Sequence, residues 1–219
     1  MKYIDNFSRK HRKFGIENLM LHITVISGVL YLVDLLFLTD EMYYRMIYHL
    51  GLDWSMILRG QIWRIVTFLI IPNQSITYVF SLLCGYFVGR SLESYWGKCK
   101  FNIYIILSVV LLNITCLILN YGLYSGEDIY LSLLIVFCLI APNSEFNLMF
   151  VLPLKGKHLS ILYLILTGIN IVKFLSIPMW APVAVIIVSL IPAALFLSDD
   201  FGDSIKAYIR RKKYNKRIK

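Results

Sequence analysis

The sequence predicts an all-α polytopic membrane protein of six spans, on three observations. Its 219 residues are 58% hydrophobic and only 16% charged, with a mean hydropathy of +0.69. That is more apolar surface than a soluble domain of this length can bury. The apolar residues also fall in blocks, at 23–38, 76–88, 101–119, 129–141, 159–175 and 181–197, each extendable toward the roughly 20 residues that a bilayer core requires. Finally, with both termini placed in the cytosol, all of the 22 lysines and arginines except Arg45, Arg59, Arg64 and Lys173 lie on inward segments, the bias that retains cations on the cytosolic side of short loops.

The elements follow in order. Residues 1–15 form a basic cytosolic N-terminus carrying Lys2, Arg9, Lys10, Arg12 and Lys13. The first apolar block is a retained helix and not a cleaved leader, because it runs on to Leu38-Thr39-Asp40 without small-residue cleavage chemistry. Asp34 inside it is costly in lipid, so it is either solvated near the helix end or hydrogen-bonded internally. In 41–50, Met42, Met46 and Ile47 recur at helical spacing opposite a polar stripe of Glu41, Arg45 and His49. With Tyr43, Tyr44, Tyr48, Trp54 and Trp63 nearby, this loop is expected to lie as an interfacial helix in the outer headgroup layer.

Residues 65–71 are too short to span, and Pro72-Asn73-Gln74-Ser75 breaks the helix. In the second span Ser81, Gly85 and Gly89 recur every four residues, a small-residue stripe that admits a close helix neighbour. Arg90, Lys98 and Lys100 are assigned to the loop before the third span, and Lys155 and Lys157 to the loop before the fifth. Glu127-Asp128 reads as a solvated outer turn. The helical domain therefore occupies 16–200 and a basic cytosolic tail 201–219.

Several function classes drop out. The run Arg210-Arg211-Lys212-Lys213-Tyr214-Asn215-Lys216-Arg217 has the local look of a phosphate-binding patch, but beside a membrane helix such a run is held by anionic headgroups, so no nucleic-acid partner is expected. The cysteines Cys84, Cys99, Cys116 and Cys138 match no zinc spacing, and no disulfide, metal or cofactor is expected. A small transporter needs more intramembrane charge than Asp34 and Lys173 supply.

The stretch from Gly60 to Phe101 resembles the front half of a rhomboid, the family of intramembrane serine proteases and their inactive relatives. Trp63-Arg64 matches the Trp-Arg pair on the loop after the first helix, and Gly89-x-x-x-Glu93-x-x-x-Gly97 matches the signature at the cytosolic end of the second. Leu152-Pro153-Leu154-Lys155 is similar to the turn before a rhomboid fifth helix. The resemblance implies a six-helix rhomboid-like bundle with an interfacial helical loop between the first two helices. It also implies that Arg64 makes polar contacts holding that loop, the alternative being an arginine that snorkels to phosphate.

The protease chemistry does not carry over. An active rhomboid needs a serine in Gly-x-Ser-Gly on the fourth helix and a histidine on the sixth. The first of these positions falls near Ser125-Gly126-Glu127-Asp128, and no histidine follows His158. The oxyanion donors fall near Pro72 or Thr77 and at Ser81, none of which replaces a histidine ring. His22, His49 and His158 lie at helix margins or in the outer loop, and Ser132 is expected to bond back to its own helix. No catalytic residue is assigned. Inactive relatives, derlins among them, use this fold to recognise transmembrane segments of clients, so the expected function is client binding without cleavage. Trp63, Arg64, Gly89, Glu93 and Gly97 are its structural motif, and the lipid bilayer and transmembrane client proteins are its partners. The alternative is an intramembrane serine protease with a displaced active site. The expected location is a multi-pass position in the plasma membrane of a bacterium.

Overall fold

The computed structural model describes residues 6–8, 10, 11, 14–37, 40–73, 76–140, 145–148, 152–155, 165, 168 and 180–197. Most of the predicted fifth span, Lys173, His158 and the basic tail lie outside the described residues.

Helix α1 (Leu19–Phe37) begins four residues before its predicted apolar block. It turns Val25, Ile26, Val29, Leu32, Leu35 and Leu36 outward, while Met20, Ser27 and Asp34 are buried. The buried positions are seven apart, two helical turns, so they share one inward face. Helix α2 (Asp40–Leu50) follows, then the single turns α3 (Trp54–Ile57) and α4 (Arg64–Thr67) and a 3₁₀ turn over Phe68–Ile70. Phe68, Leu69 and Ile71 are buried. The 64–71 segment thus runs into the bundle, where its 3₁₀ turn packs on α1.

Helix α5 (Ile76–Trp96) and helix α6 (Lys98–Leu119) are 21 and 22 residues long, about 31 and 33 Å at 1.5 Å per residue. The cations Arg90, Lys98 and Lys100 predict a loop between them. Instead α5 continues through Arg90, Lys98 opens α6, and Gly97 alone joins the two. Its φ of +81° is what a side chain resists and glycine adopts freely, so a reversal fits into one residue.

Helix α7 (Glu127–Ile140) has 14 residues, about 21 Å, too short for a core of about 30 Å. It is also the most enclosed of the described elements: Ile129 to Leu134 and Val136 to Cys138 are all buried, with α5 and α8 against it and Tyr104 of α6 bonded to its Ser132. A two-stranded antiparallel hairpin, β1 (Glu145–Leu148) and β2 (Leu152–Lys155), pairs Glu145 with Lys155 and Leu148 with Leu152, a feature the sequence reading did not anticipate. Helix α8 (Trp180–Ser189) is followed after a turn at Leu190 by further helix to Leu197.

Leu19–Leu36, Lys98–Leu119 and Trp180–Leu197 are each long and apolar enough to cross a bilayer. With the short helices enclosed among them, the protein is a polytopic helical membrane protein. At one end of the bundle Trp96, Tyr104 and Phe196 pack ring to ring with centroids 5.1 to 5.6 Å apart, tying α5, α6 and the segment after α8. The four cysteines are all buried, and none is in a disulfide.

Candidate functional site

Two polar assemblies sit at opposite ends of the bundle, and each is organised around one half of the sequence motif.

The first is built on the C-terminus of α2. The last carbonyls of any helix lack intrahelical donors, and here the carbonyls from Tyr48 to Gly51 are met by side chains from a single later turn. The Trp63 indole donates to the His49 carbonyl at 3.1 Å. Arg64 Nη1 donates to the Gly51 carbonyl at 2.7 Å, and its Nη2 donates to the Tyr48 carbonyl. Thr67 Oγ1 donates to the Leu50 carbonyl at 2.7 Å, and Gln61 Oε1 accepts from Arg64 Nε at 2.7 Å. The spacing explains itself: positions 63, 64 and 67 lie on one side of the α4 turn. The guanidinium also meets the negative end of the α2 dipole. Arg64 is only 2% exposed, so it does not snorkel.

The loop is anchored to the bundle by Asn113 of α6, whose Nδ2 donates to the Ile65 carbonyl at 3.1 Å and whose own carbonyl accepts from the Trp54 indole at 3.0 Å. Leu52 and Leu123 exchange backbone hydrogen bonds of 2.9 and 3.1 Å, fastening the loop to the segment before α7. Asp53 caps α3 by accepting from the Ser55 amide at 2.8 Å and its hydroxyl at 2.7 Å. The hydroxyl bond first of all holds the Asp53 carboxyl below the usual range. On α2, Met46 is buried while Tyr44, Arg45, Tyr48 and His49 face outward, as an amphipathic helix requires.

The second assembly explains the Gly-x-x-x-Glu-x-x-x-Gly spacing residue by residue. A side chain at Gly89 would collide with Met20, so this glycine sets how closely α5 approaches α1. One turn on, Glu93 Oε1 accepts from the Asn18 amide at 2.8 Å, capping the start of α1. A further turn on, Gly97 supplies the reversal into α6. Asn102 completes the clasp by pairing with Ile16 in both directions, its Oδ1 accepting from the Ile16 amide at 3.1 Å and its Nδ2 donating to the Ile16 carbonyl at 2.9 Å. Lys98 pairs with Glu17 at 2.5 Å, which holds the exposed Glu17 carboxyl below its ordinary range.

Among the described residues, the serines near the expected nucleophile position serve helix hydrogen bonds. Ser132 is fully buried; its Oγ accepts from Tyr104 Oη and donates to the Ile129 carbonyl, both at 2.9 Å. Ser125 Oγ accepts from the Glu127 amide at 3.2 Å and so serves the first turn of α7. His22 Nδ1 lies 3.0 Å from the Asn18 carbonyl, and the exposed His49 ring stacks edge-on against Tyr48 at 5.1 Å. Glu127 and Asp128 are half-buried. No group of three or more His, Cys, Asp or Glu residues placed to hold a metal occurs among the described residues.

Sequence reasoning missed Gln61, Thr67, Asn102 and Asn113. The two asparagines had a signal: eleven residues apart, about three turns, they mark one polar edge on an otherwise apolar helix. Gln61 and Thr67 had none, because their partners are Arg64 and a backbone carbonyl.

No curated protein and no solved structure matches the chain significantly. The sequence profile of the Der1-like family, which belongs to the rhomboid-like superfamily, matches residues 44–208. That match takes in the capped loop, the glycine-glutamate motif, α6, α7 and α8, and by it this chain belongs to the Der1-like family.

Proposed function

We propose that the protein is a rhomboid-like pseudoprotease that binds transmembrane segments of client membrane proteins without cutting them. The observation that carries this reading is the state of the two serines around the expected nucleophile position: Ser125 Oγ accepts from the Glu127 amide and Ser132 Oγ is committed to Tyr104 and to its own helix, with no histidine bonded to either among the described residues. The short enclosed α7 and the half-sunk 64–71 segment support the binding half, since short helices and interfacial segments thin the bilayer locally and favour a client helix that carries polar groups. Trp63, Arg64, Gly89, Glu93 and Gly97 serve it as scaffold.

The test is reconstitution of the full-length protein in liposomes with a single-span membrane protein that bears a polar residue in its span, followed by crosslinking and gel analysis. The expected result is a crosslinked, intact client and no serine labelled by a fluorophosphonate probe. Client fragments, or a probe adduct on a serine of α7, would establish a displaced protease site; no crosslink above that of an unrelated polytopic protein would remove client binding.

We further propose six spans with both termini in the cytosol. The partition of cations along the sequence supports it: Arg90, Lys98 and Lys100 flank the α5–α6 junction, and Arg45, Arg59 and Arg64 are the cations left at the loop end. Because the native cysteines are buried, single reporters read cleanly. In intact cells Arg59→Cys will react with an impermeant thiol reagent and Ser8→Cys will not; the reverse pattern inverts the topology.

A further inference from the structure

Ahead of α1 the chain carries an apolar cluster that is not part of the bundle core. Residues 6–8 and 10 are helical. Phe7 lies against the His11 ring with centroids 4.6 Å apart and meets Phe14 edge-on at 6.2 Å. Neither phenylalanine is among the core residues or packs on them, and Phe7, Phe14 and Ile16 are 45%, 51% and 57% exposed. We infer that Phe7, Lys10, Phe14 and Ile16 form a foot that binds a leaflet of anionic phospholipid. The apolar side chains enter the boundary between headgroups and acyl chains, and the cations meet the phosphates.

The height of the foot is set by the clasp. Asn102, one turn into α6, holds the Ile16 backbone in both directions, and Glu93 in the last turn of α5 holds the Asn18 amide. Ile16 therefore lies level with the first turn of a span, where hydrocarbon gives way to headgroups. Gly15 and Asn18 have φ of +105° and +53°, outside the right-handed helical region, so α1 does not run back through them and the preceding segment takes its own direction. The joint is tight as well, since a Cβ at Gly15 would come within 3.0 Å of the Asn102 side-chain amide. On the other side of the joint Leu21 and Val25 are exposed on α1, so surface that faces lipid begins in the first turn of that span.

Charge selects the kind of lipid. The first 13 residues hold Lys2, Arg9, Lys10, Arg12 and Lys13 against the single acid Asp5, and Lys10 is exposed. Near an anionic leaflet each such cation raises the ratio of bound to free segment about fivefold. Three apolar side chains alone give weak, reversible insertion, and a basic run alone stays in the water layer; the two together make a stable anchor. A zwitterionic leaflet supplies only the first of these attractions.

The test uses the full-length protein in liposomes of phosphatidylcholine, with or without phosphatidylglycerol in both leaflets, so that the result does not depend on orientation. Asn6→Cys, at an exposed position, carries a nitrobenzoxadiazole dye whose depth is read by quenching with doxyl-labelled lipids; the native cysteines are buried. The dye will be quenched in the anionic vesicles and far less in phosphatidylcholine alone. Lys10→Gln will lower the bound-to-free ratio about fivefold. Phe7→Ser combined with Phe14→Ser, which keeps every cation, will abolish the quenching while the melting temperature in detergent stays the same, because neither ring belongs to the core. Equal quenching in the two vesicles or an unchanged ratio in Lys10→Gln overturns the inference and leaves apolar adsorption. Quenching that persists without the two rings overturns it in favour of plain charge attraction, and no quenching in either vesicle overturns it in favour of a partner other than lipid.

Discussion

Arg64→Ala will release the interfacial helix from the loop that holds it. The substitution removes the donors to the Tyr48 and Gly51 carbonyls at a site where water has little access. Each buried acceptor left without a donor costs about 1 to 3 kcal/mol, so the loop loses on the order of 3 kcal/mol of local stability, roughly a hundredfold in opening equilibrium. Hydrogen exchange in membranes will show this as lost protection across 43–51 and 61–67, with α6 and α7 unchanged. Arg64→Lys will recover only part of it, because one ammonium cannot reproduce the planar fork that serves Tyr48, Gly51 and Gln61 together. Thr67→Val will show a smaller loss confined to the Leu50 carbonyl. Unaltered exchange in Arg64→Ala would mean that the remaining donors hold α2 alone, and Arg64 would no longer be the residue that fixes the loop.

The outline of this fold was legible in the sequence because lipid imposes it. Apolar blocks had to be helices, and α1, α5, α6, α7 and α8 fall on the blocks assigned to them, α5 and α6 covering theirs in full. The interfacial helix was legible for the same reason, since its Met46 face and its Tyr44, Arg45 and Tyr48 face alternate at helical period. What could not be read is the content of the motifs. Arg64 reaches back 13 and 16 residues to backbone carbonyls, and a carbonyl leaves no trace in residue identity. Glu93 contacts a backbone amide 75 residues away, equally silent. The missing loop between α5 and α6 has another cause: the cations Arg90, Lys98 and Lys100 suggested solvated coil, yet helix tolerates them at its ends, and only the φ of Gly97 decides that one residue suffices.

Gly89→Leu will separate α1 from α5. Even a Cβ at this position meets Met20 near its own backbone and not at a flexible tip, so the clash cannot be relieved by a rotamer change alone. Overpacking of this kind typically costs about 1 to 3 kcal/mol and sometimes more, and the strain falls next to the Glu93–Asn18 cap. The expected outcome is a lowered melting temperature in detergent with early proteolysis near 15–18. A double-mutant cycle makes the cause specific: Gly89→Ala will cost less in a Met20→Ala background than alone, a coupling that distant sites do not show. Additive costs would place the role of Gly89 in helix flexibility and not in the contact with Met20.

The shortness of α7 also dictates an order of biogenesis. A 14-residue helix leaves terminal peptide groups inside hydrocarbon if it meets lipid on its own, and such groups cannot stay unsatisfied there. Helices α1 and α6 suffer no such defect, being long enough to settle in the bilayer as independent segments before they associate. During synthesis α7 therefore has no stable seat of its own; it acquires one when the α5–α6 pair is already in place, and the slot closes when α8 emerges and docks on α6 and α7.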